Sequence, residues 1–253
     1  MKQVRNATMV LQYEGATVLI DPMLGAQGSM PPFPSETGNT DRNPLVDLSS
    51  PLDELLAPDV IVVTHTHPDH WDPAAASLLP RSTPILVQHD EDAVLISGQG
   101  FTDVRVLEST ATIAGVEFTR TGGQHGSDES LAAQPELGQV MGVVLRHEDD
   151  PVIYIAGDTI MTDEVRQNLV DIAADVIVLN TGEAIPSALG PIIMGPEDVV
   201  EVAGLAPHAR IIAVHMEALN HCPVAREDVR TAAASHAISD RVSAPEDGEA
   251  LSF

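Results

Sequence analysis

Four side chains able to bind a metal ion lie within six residues of the chain, at His65, His67, Asp69 and His70. They directly follow the apolar run 60–63, which is rich in Val and Ile, is bounded by prolines, and is therefore predicted to be a buried strand. In α/β proteins, the loops at the carboxyl ends of strands carry the chemistry. Imidazole nitrogens and a carboxylate at this position predict a metal site.

The number of ligands exceeds what one ion needs. A catalytic zinc ion takes three protein ligands and keeps a fourth position open for water, and the chain holds further histidines downstream. Two metal ions that share the loop therefore explain the motif better than one. The alternative is a set of solvated loop histidines, or a degenerate site that no longer binds metal.

The spacing His-x-His-x-Asp-His resembles the signature of metallo-β-lactamase-fold hydrolases. The resemblance extends over nearly the whole chain, and it implies an α/β protein built as a four-layer αββα sandwich. It also implies a histidine after a later strand, an aspartate that bridges the metals in a Gly-Asp-Thr turn, and a last histidine near the C-terminus. The matching residues, in the expected order, are His125, Asp158 and His215.

Each of these downstream residues also has a local argument. His125 lies among three glycines, which let the backbone and imidazole approach a crowded centre, although an ordinary turn histidine is the alternative. Asp158 ends an apolar run, where a carboxylate is costly unless it is paired or metal-bound; it could instead cap the next helix. His215 stands at the end of the apolar run 211–214, so we prefer it to His221 as the last ligand.

These arguments together predict two metal sites that share one carboxylate. The predicted ligands are His65, His67 and His125 on one metal, Asp69, His70 and His215 on the other, and Asp158 as the bridge. Mostly nitrogen ligands favour zinc, whereas the carboxylates also admit manganese or iron.

The segment after His215 holds candidates for catalysis and substrate contact. His221, Glu217 and Asn220 lie in a stretch that can begin a helix, so ordinary helix-start polarity is the alternative. In the predicted mechanism, a hydroxide that bridges the two metals attacks a carbonyl or phosphoryl centre. Asp69 orients that hydroxide or holds the second metal, and His221 or Glu217 assists the leaving group.

The remaining histidines and the only cysteine are not part of this pattern. His89, His147, His208 and His236 lie beside turn residues or on predicted helix surface, so we expect them to be structural or solvated. Cys222 has no partner for a disulfide within the chain, and we expect it to line a pocket rather than to act as a nucleophile.

The charge of the chain restricts its partners. There are 38 acidic residues against 12 basic ones, Lys2 is the only lysine, and the arginines are scattered. Such a surface repels nucleic-acid phosphate and anionic membranes, so a small-molecule substrate is expected. With no apolar stretch of about eighteen residues and no basic-then-apolar leader, we expect one cytoplasmic domain over residues 1–253, and we leave homo-oligomerisation open.

The rest of the sequence predicts elements that position the motif. A hairpin over 7–13 and 17–20, joined at Glu14-Gly15, precedes a segment at 21–50 that is rich in Pro, Gly, Ser and Asn. This segment is too long for a plain connection, so we expect it to cover the metal site and set substrate choice; a disordered insertion is the alternative. Further helices are predicted near 74–79, 163–173, 196–205 and 226–238, and strands near 85–87, 112–113, 116–119, 140–145, 152–155, 176–179 and 211–214. After the strand at 85–87, helix and strand are predicted to alternate up to Leu107.

Within the superfamily, the chain is most similar to compact stand-alone hydrolases related to ascorbate-6-phosphate lactonases, through Asp21-Pro22 and the segment around His215. Those relatives often carry Gly-His near the first strand, where this chain has Arg5-Asn6-Ala7-Thr8, so a sugar phosphate substrate does not follow. Arg5 and Arg120 are predicted to be surface charges, with contact to an anionic substrate group as the alternative. The predicted function is hydrolysis of a small ester, lactone, amide or phosphoester; a di-iron redox protein and a non-catalytic metal-binding or sensing protein are the alternatives.

Overall fold

The computed structural model describes residues 1–13, 15–148 and 150–253. In these ranges the strands are β1 (Lys2–Arg5), β2 (Thr8–Tyr13), β3 (Ala16–Ile20), β4 (Val60–Val62), β5 (Ile85–Val87), β6 (Val104–Val106), β7 (Thr110–Ile113), β8 (Val116–Gly123), β9 (Val140–Arg146), β10 (Ile153–Ile155), β11 (Val176–Asn180), β12 (Arg210–Val214) and β13 (Val242–Ser243). The helices are α1 (Pro73–Leu78), α2 (Asp90–Gly98), α3 (Asp128–Ala133), α4 (Asp163–Ile172), α5 (Pro196–Leu205) and α6 (Arg226–Ser235). None of these helices combines the length and hydropathy that crossing a membrane requires.

Two mixed sheets follow one another along the described chain. In the first, β1 to β6 lie side by side in sequence order. The pairs β1–β2 and β2–β3 are antiparallel, whereas β3 to β6 pair in parallel. The parallel pairs at β4–β5 and β5–β6 are possible because α1 and α2 carry the chain back across the sheet.

The second sheet repeats this plan with β7 to β13, again in sequence order. Its strands are antiparallel from β7 to β10 and parallel from β10 to β13. Helices α4, α5 and α6 make the parallel crossovers. Within each sheet the parallel strands therefore end at a common edge, where their loops can meet.

Alternation along the buried strands explains how the layers pack. In β4, Val60 and Val62 point into the core between the sheets, where they join Val178 of β11. The intervening Ile61 packs on the opposite face in a cluster that includes Ala75 of α1. On the outer face of the second sheet, residues of α4, α5 and α6 form another core cluster. The protein is thus a four-layer αββα sandwich, and the predicted fold class is confirmed.

The element boundaries agree with the predicted ones to within a few residues, with three differences. Strands β1 and β13 and helix α3 were not expected. The predicted turn at Glu14-Gly15 includes Glu14, which lies outside the described residues. Asp72 caps α1, since its carboxylate accepts a hydrogen bond from Ala75 N at 2.7 Å.

One predicted surface charge is wrong. Arg5 is fully buried, and its guanidinium donates hydrogen bonds to the carbonyl oxygens of Met23 (2.6 Å), Gly25 (2.8 Å) and Val46 (3.1 Å). These three carbonyls lie near the two ends of the segment 21–50. Arg5 therefore ties the base of that segment to the sheet and is not available to a substrate.

Candidate metal centre

Four loops bring the predicted ligands to one edge of the sandwich, after β4, β8, β10 and β12. There the ligands fall into two groups, and within each group the donor atoms all lie within 4.8 Å of one another. The two groups are His65, His67 and His125, and Asp69, His70, Asp158 and His215. This division follows the two predicted sites, with Asp158 counted in the second group.

Asp158 lies between the two groups. Its Oδ2 atom is 3.2 Å from His70 Nε2 and 3.6 Å from His215 Nε2 in one group. The same oxygen is 3.8 Å from His125 Nε2 and 4.0 Å from His65 Nε2 in the other. One carboxylate oxygen therefore faces donors of both groups, as a bridging ligand would.

The backbone at the bridging carboxylate depends on glycine. Gly157 has a φ of 72°, and a Cβ atom there would lie 2.5 Å from Met141 O. A side chain at this position would therefore both strain the backbone and collide with β9. The glycine permits the tight turn that carries Asp158 from the end of β10 into the site.

Asp21 fixes the orientation of one ligand ring. Its buried carboxylate accepts hydrogen bonds from Thr64 N (2.7 Å) and Thr64 Oγ1 (2.8 Å), and it lies 2.9 Å from His70 Nδ1. An anionic acceptor at Nδ1 keeps the ring proton there, so the lone pair of His70 Nε2 faces the other ligands. The Thr64 hydroxyl is also 3.2 Å from His65 Nδ1, so one short chain of contacts orients two ligands.

Two further ligand rings are held in the same way from the opposite sheet. His125 Nδ1 lies 3.1 Å from the carbonyl oxygen of Ile192. His215 Nδ1 lies 3.7 Å from the sulfur of Cys222, and His215 itself adopts a left-handed backbone conformation with a φ of 66°. Partners at Nδ1 leave Nε2 of both rings for a metal.

The spacing between ligand nitrogens fits shared cations. His65 Nε2 lies 3.0 Å from His67 Nδ1, and His70 Nε2 lies 3.2 Å from His215 Nε2. Two nitrogens bound to one tetrahedral zinc at about 2.0 to 2.1 Å are about 3.3 Å apart. Facing lone pairs at such distances repel unless a cation or a proton lies between them. The donor set therefore fits two divalent ions.

The electrostatics of the cluster also favour bound cations. Burial alone would lower the pKa of His70, but the neighbouring Asp158, Asp69 and Asp21 outweigh it and raise that pKa well above its usual value. Burial would raise the pKa of Asp158, yet the surrounding histidines, His70 foremost, hold it well below its usual range. Asp158 is thus ionised inside the protein, and without metal a proton on His70 compensates its charge.

The other oxygen of Asp158 has a partner that was not among the predicted site residues. Asn180, at the end of β11, donates from Nδ2 to Asp158 Oδ1 at 2.6 Å. A signal for it existed, because Asn180 is a polar residue at the end of an apolar strand, and Asp158 likewise lies shortly after one. The hydrogen bond leaves Oδ2 as the atom that faces both ligand groups.

The three candidates that follow His215 have different surroundings. His221 lines the cavity beside the ligands, and burial lowers its pKa to about 4. Glu217 is turned away: its carboxylate accepts a hydrogen bond from Arg226 N at 3.0 Å and forms an ion pair with the Arg226 guanidinium. The catalytic role predicted for Glu217 is therefore withdrawn. Asn220 bonds to the segment 21–50 and does not touch the ligands through its side chain.

A cavity of about 270 Å³ opens above the cluster. It is lined by Phe33, Pro34, His67, Pro68, Asp69, His125, Gln134, Glu136, Leu137, Asp158, Pro186, Ile192 and His221. Four of the predicted metal ligands form one side, and mostly apolar side chains form the rest. The segment 21–50 contributes Phe33 and Pro34, whereas Met30 is buried in a neighbouring core cluster.

The remaining histidines lie outside this centre. His89 accepts a hydrogen bond from Asp92 N at the start of α2, and His208 is exposed. His147 lies 2.9 Å from the Asp150 carboxylate. His236 ends α6 with a contact to its own helix.

Arg120, the second predicted surface charge, is half-buried and donates to the carbonyl oxygen of Gln88. It does not line the cavity described above.

Comparison with known proteins agrees with this geometry. The sequence profile of the beta-lactamase superfamily domain matches residues 16–216. The chain belongs to this superfamily. It is 38% identical over 252 residues to the UPF0173 protein YddR of Bacillus subtilis (strain 168), a match that covers 99% of this chain and 98% of the relative. A UPF0173 metal-dependent hydrolase of Methanobrevibacter smithii is 25% identical over 181 residues, 70% of this chain and 67% of the relative.

Two solved structures match this chain over nearly its whole length. The isothiocyanate hydrolase from Delia radicum gut bacteria is 42% identical, with a TM-score of 0.95 over 99% of this chain and 98% of that chain. A possible metal-dependent hydrolase from Veillonella parvula is 40% identical, with a TM-score of 0.92 over 98% and 96% of the two chains. The protein is therefore a member of a family of metal-dependent hydrolases, and its His and Asp cluster can hold metal ions.

Proposed function

We propose that the protein is a binuclear metal-dependent hydrolase of small, uncharged electrophiles, with isothiocyanates as its substrate class. The observation that carries the proposal is the position of two metal-ligand groups on one side of a mostly apolar cavity. The likeness to an isothiocyanate hydrolase supports the same substrate class, because that protein matches this chain over nearly its full length.

The lining of the cavity supports a neutral substrate over an anionic one. Among the described lining residues there is neither a lysine nor an arginine, and Glu136 adds a further carboxylate. Beyond the proposed metal ions, the remaining oxygens of a phosphate group would have no cationic side chain among these residues to pair with. Phe33, Leu137 and Ile192 instead offer apolar contact to an organic substituent. We therefore favour neutral substrates over the phosphoesters that the sequence also allowed.

The residues at the site would have different roles in such a reaction. Divalent ions held by the seven ligands, with zinc favoured, would supply an acidic water and a Lewis acid at neutral pH. Asp69, ionised because His70 and His215 hold its pKa well below normal despite burial, can accept a hydrogen bond from the attacking water and orient it. The His221 imidazole lines the cavity and is neutral at pH 7, because burial lowers its pKa to about 4, so the ring can hydrogen-bond to a substrate heteroatom.

The overall reaction is balanced by one water molecule. Water adds across the C=N bond of R–N=C=S, with its oxygen on carbon and a proton on nitrogen, to give a thiocarbamate. The thiocarbamate breaks down to the amine R–NH₂ and carbonyl sulfide. The apolar cavity wall holds R, and the metal-ligand side faces the carbon that is attacked. The partners we propose are thus a small molecule and two metal ions, without a nucleic acid or a membrane.

A substrate panel tests the proposal. Metal-free protein, reconstituted with zinc or manganese, is assayed with benzyl isothiocyanate, an aryl acetate, an aliphatic lactone and an aryl phosphodiester. We expect turnover of the isothiocyanate, with its loss in a His65→Ala, His67→Ala double variant. Exclusive turnover of the phosphodiester or the lactone would replace the substrate class, and an absence of turnover by fully metal-loaded protein would favour a binding or sensing role.

A further inference from the structure

We infer that Asn220 is a positioning residue that sets substrate choice by holding one stretch of chain over the cavity. This stretch, residues 30–43, is called the strap. The hydrogen bonds between Asn220 and the strap are called the latch. The inference rests on the proposed function for the substrate it names, whereas the latch can be tested without a substrate.

The Asn220 side chain forms all of its hydrogen bonds with the strap. Its Oδ1 accepts from Phe33 N (2.9 Å) and Asn43 Nδ2 (2.8 Å), and its Nδ2 donates to Phe33 O (3.0 Å) and Asn39 O (2.9 Å). Its backbone N donates to Asn43 Oδ1 (2.9 Å), and its backbone O accepts from Thr37 Oγ1 (2.8 Å). A primary amide offers two acceptor and two donor positions, and all four are used here. Asn220 is 2% exposed, so water does not compete for these bonds.

The latch acts on a residue that lines the cavity. Both backbone groups of Phe33 are bound to the same amide, which fixes where the Phe33 side chain leaves the strap. The Phe33 ring then packs edge-on against the ring of His221, with their centroids 5.0 Å apart. Both rings line the cavity, and Asn220 immediately precedes His221 in the chain. A single side chain thus sets the spacing between two walls of the substrate site.

The metal ligands do not depend on this latch in the same way. The hydrogen bonds of the Asn220 side chain all go to the strap, and the ligand rings described above are oriented by Asp21, Thr64, Ile192 and Cys222. Loss of the latch should therefore loosen the apolar wall and leave the reacting centre in place. A substrate with a large apolar group should lose affinity, and a substrate without one should not.

The experiment compares two isothiocyanates on zinc-reconstituted protein. For Asn220→Ala we expect KM for benzyl isothiocyanate to rise about tenfold, the upper end for loss of one aromatic contact. We expect kcat, metal content and KM for methyl isothiocyanate to stay within about twofold of wild type. Asn220→Asp, which keeps Oδ1 but replaces the amide donors with an anion facing two carbonyls, should behave like Asn220→Ala.

Two further variants separate positioning from general destabilisation. Asn39→Ala is the matched control, because the Asn39 side chain bonds within the strap to Asp41 N and its removal leaves the latch bonds intact. It should keep the wild-type KM. In a Phe33→Ala, Asn220→Ala double variant, the rise in KM should be no greater than that of the worse single variant, because Asn220 acts through Phe33. Equal losses with both isothiocyanates, or effects of the two substitutions that multiply, would overturn the inference.

A measurement without substrate keeps the latch testable if the substrate class is wrong. Trypsin can cut after Arg42, which is exposed in the strap. Asn220→Ala should be cut there at least about tenfold faster than wild type, since local opening limits cleavage, and Asn39→Ala should not. If wild type hydrolyses no isothiocyanate, the proposed function fails alone. If cleavage after Arg42 is unchanged in Asn220→Ala, the latch fails.

Discussion

Replacing Asp21 with Asn should remove the second metal while leaving the fold intact. Asp21 Oδ1 accepts from Thr64 N, so in Asp21→Asn the amide oxygen must stay there and the NH₂ group takes the place of Oδ2. That NH₂ group then faces His70 Nδ1 and Thr64 Oγ1, at positions now 2.9 and 2.8 Å from Oδ2. Two donors cannot share one contact, so the ring proton of His70 must move from Nδ1 to Nε2. The nitrogen that would bind metal becomes a donor.

The size of the effect follows from the loss of an oriented ligand. Outer partners of metal-bound histidines are worth about 10- to 100-fold in metal affinity, which is about 1.4 to 2.7 kcal/mol. The site of Asp69, His70 and His215 should weaken by at least this factor, because the proton now occupies the ligand atom. The free energy of unfolding of the metal-free protein should fall by about 1 to 3 kcal/mol, because the substitution removes the charge from one buried hydrogen-bond network. The loss stays in this range because Thr64 and His70 still have a polar group beside them.

The assay is a competition titration of zinc against a chromophoric chelator, with metal content after dialysis as a second readout. Asp59→Asn is the matched control, because Asp59 also accepts a backbone hydrogen bond, from Thr17 N at 2.8 Å, but is exposed and remote from the ligands in the structure. It should bind two zinc ions with wild-type affinity. A folded Asp21→Asn protein that also binds two zinc ions with wild-type affinity would refute the assignment of the His70 tautomer.

Three further variants test single steps of the account. Asp158→Ala should bind at most one metal and lose hydrolysis, because two close cations would lack their shared anion; two retained metals with near-normal turnover would make the residue a helix cap. Burial keeps the pKa of His221 at about 4, below about 6.5 in the unfolded chain, so the unfolded chain takes up the proton first and stability is lost as pH falls from about 6.5 to about 4. In urea unfolding of metal-free protein, His221→Asn should flatten that loss by up to about 1.4 kcal/mol per pH unit, and equal slopes would contradict the pKa. Glu217→Gln should lower the melting temperature slightly through its contact with Arg226 and leave kcat and KM unchanged, whereas a tenfold loss of kcat would restore Glu217 as a catalytic candidate.

The sequence predicted most of the fold because its signals are local. Apolar runs of strand length, and their spacing from helix caps, locate the strands and helices. Successive residues of a strand point to opposite faces of the sheet, as Val60 and Ile61 do. The ligand motif is local as well, since four donors follow one strand. Donors that come from distant loops were placed by resemblance and by their position after strands, as with His125.

What the sequence could not supply depends on contacts between distant segments. Arg5 has its partners 18 to 41 residues away, and nothing in its neighbourhood distinguishes a buried guanidinium from a surface one. Glu217 was misjudged because His215 and Glu217 both adopt left-handed backbone conformations, which turn the chain so that side-chain direction cannot be inferred from spacing. Asn220 finds its partners more than 170 residues earlier in the chain.

Some missed residues did carry a readable signal. Asp21 directly follows the apolar strand β3, and Asn180 is the last residue of the apolar strand β11. A buried polar group at such a position requires a partner. Applied to every strand, this rule would have marked Asp21 and Asn180 as buried polar residues that need a partner, and the structure shows that their partners are His70 and Asp158.

Zinc titration of the activity tests the central claim, a two-metal hydrolytic centre, most directly. Metal-free protein receives zinc in steps of a fraction of an equivalent, and hydrolysis of benzyl isothiocyanate is followed at each step together with bound zinc. A two-metal centre predicts no turnover without metal, full turnover only when two zinc ions are bound per chain, and loss of turnover again on chelation. Undiminished turnover by the fully chelated protein, or full turnover with one bound ion and no further binding, would contradict it.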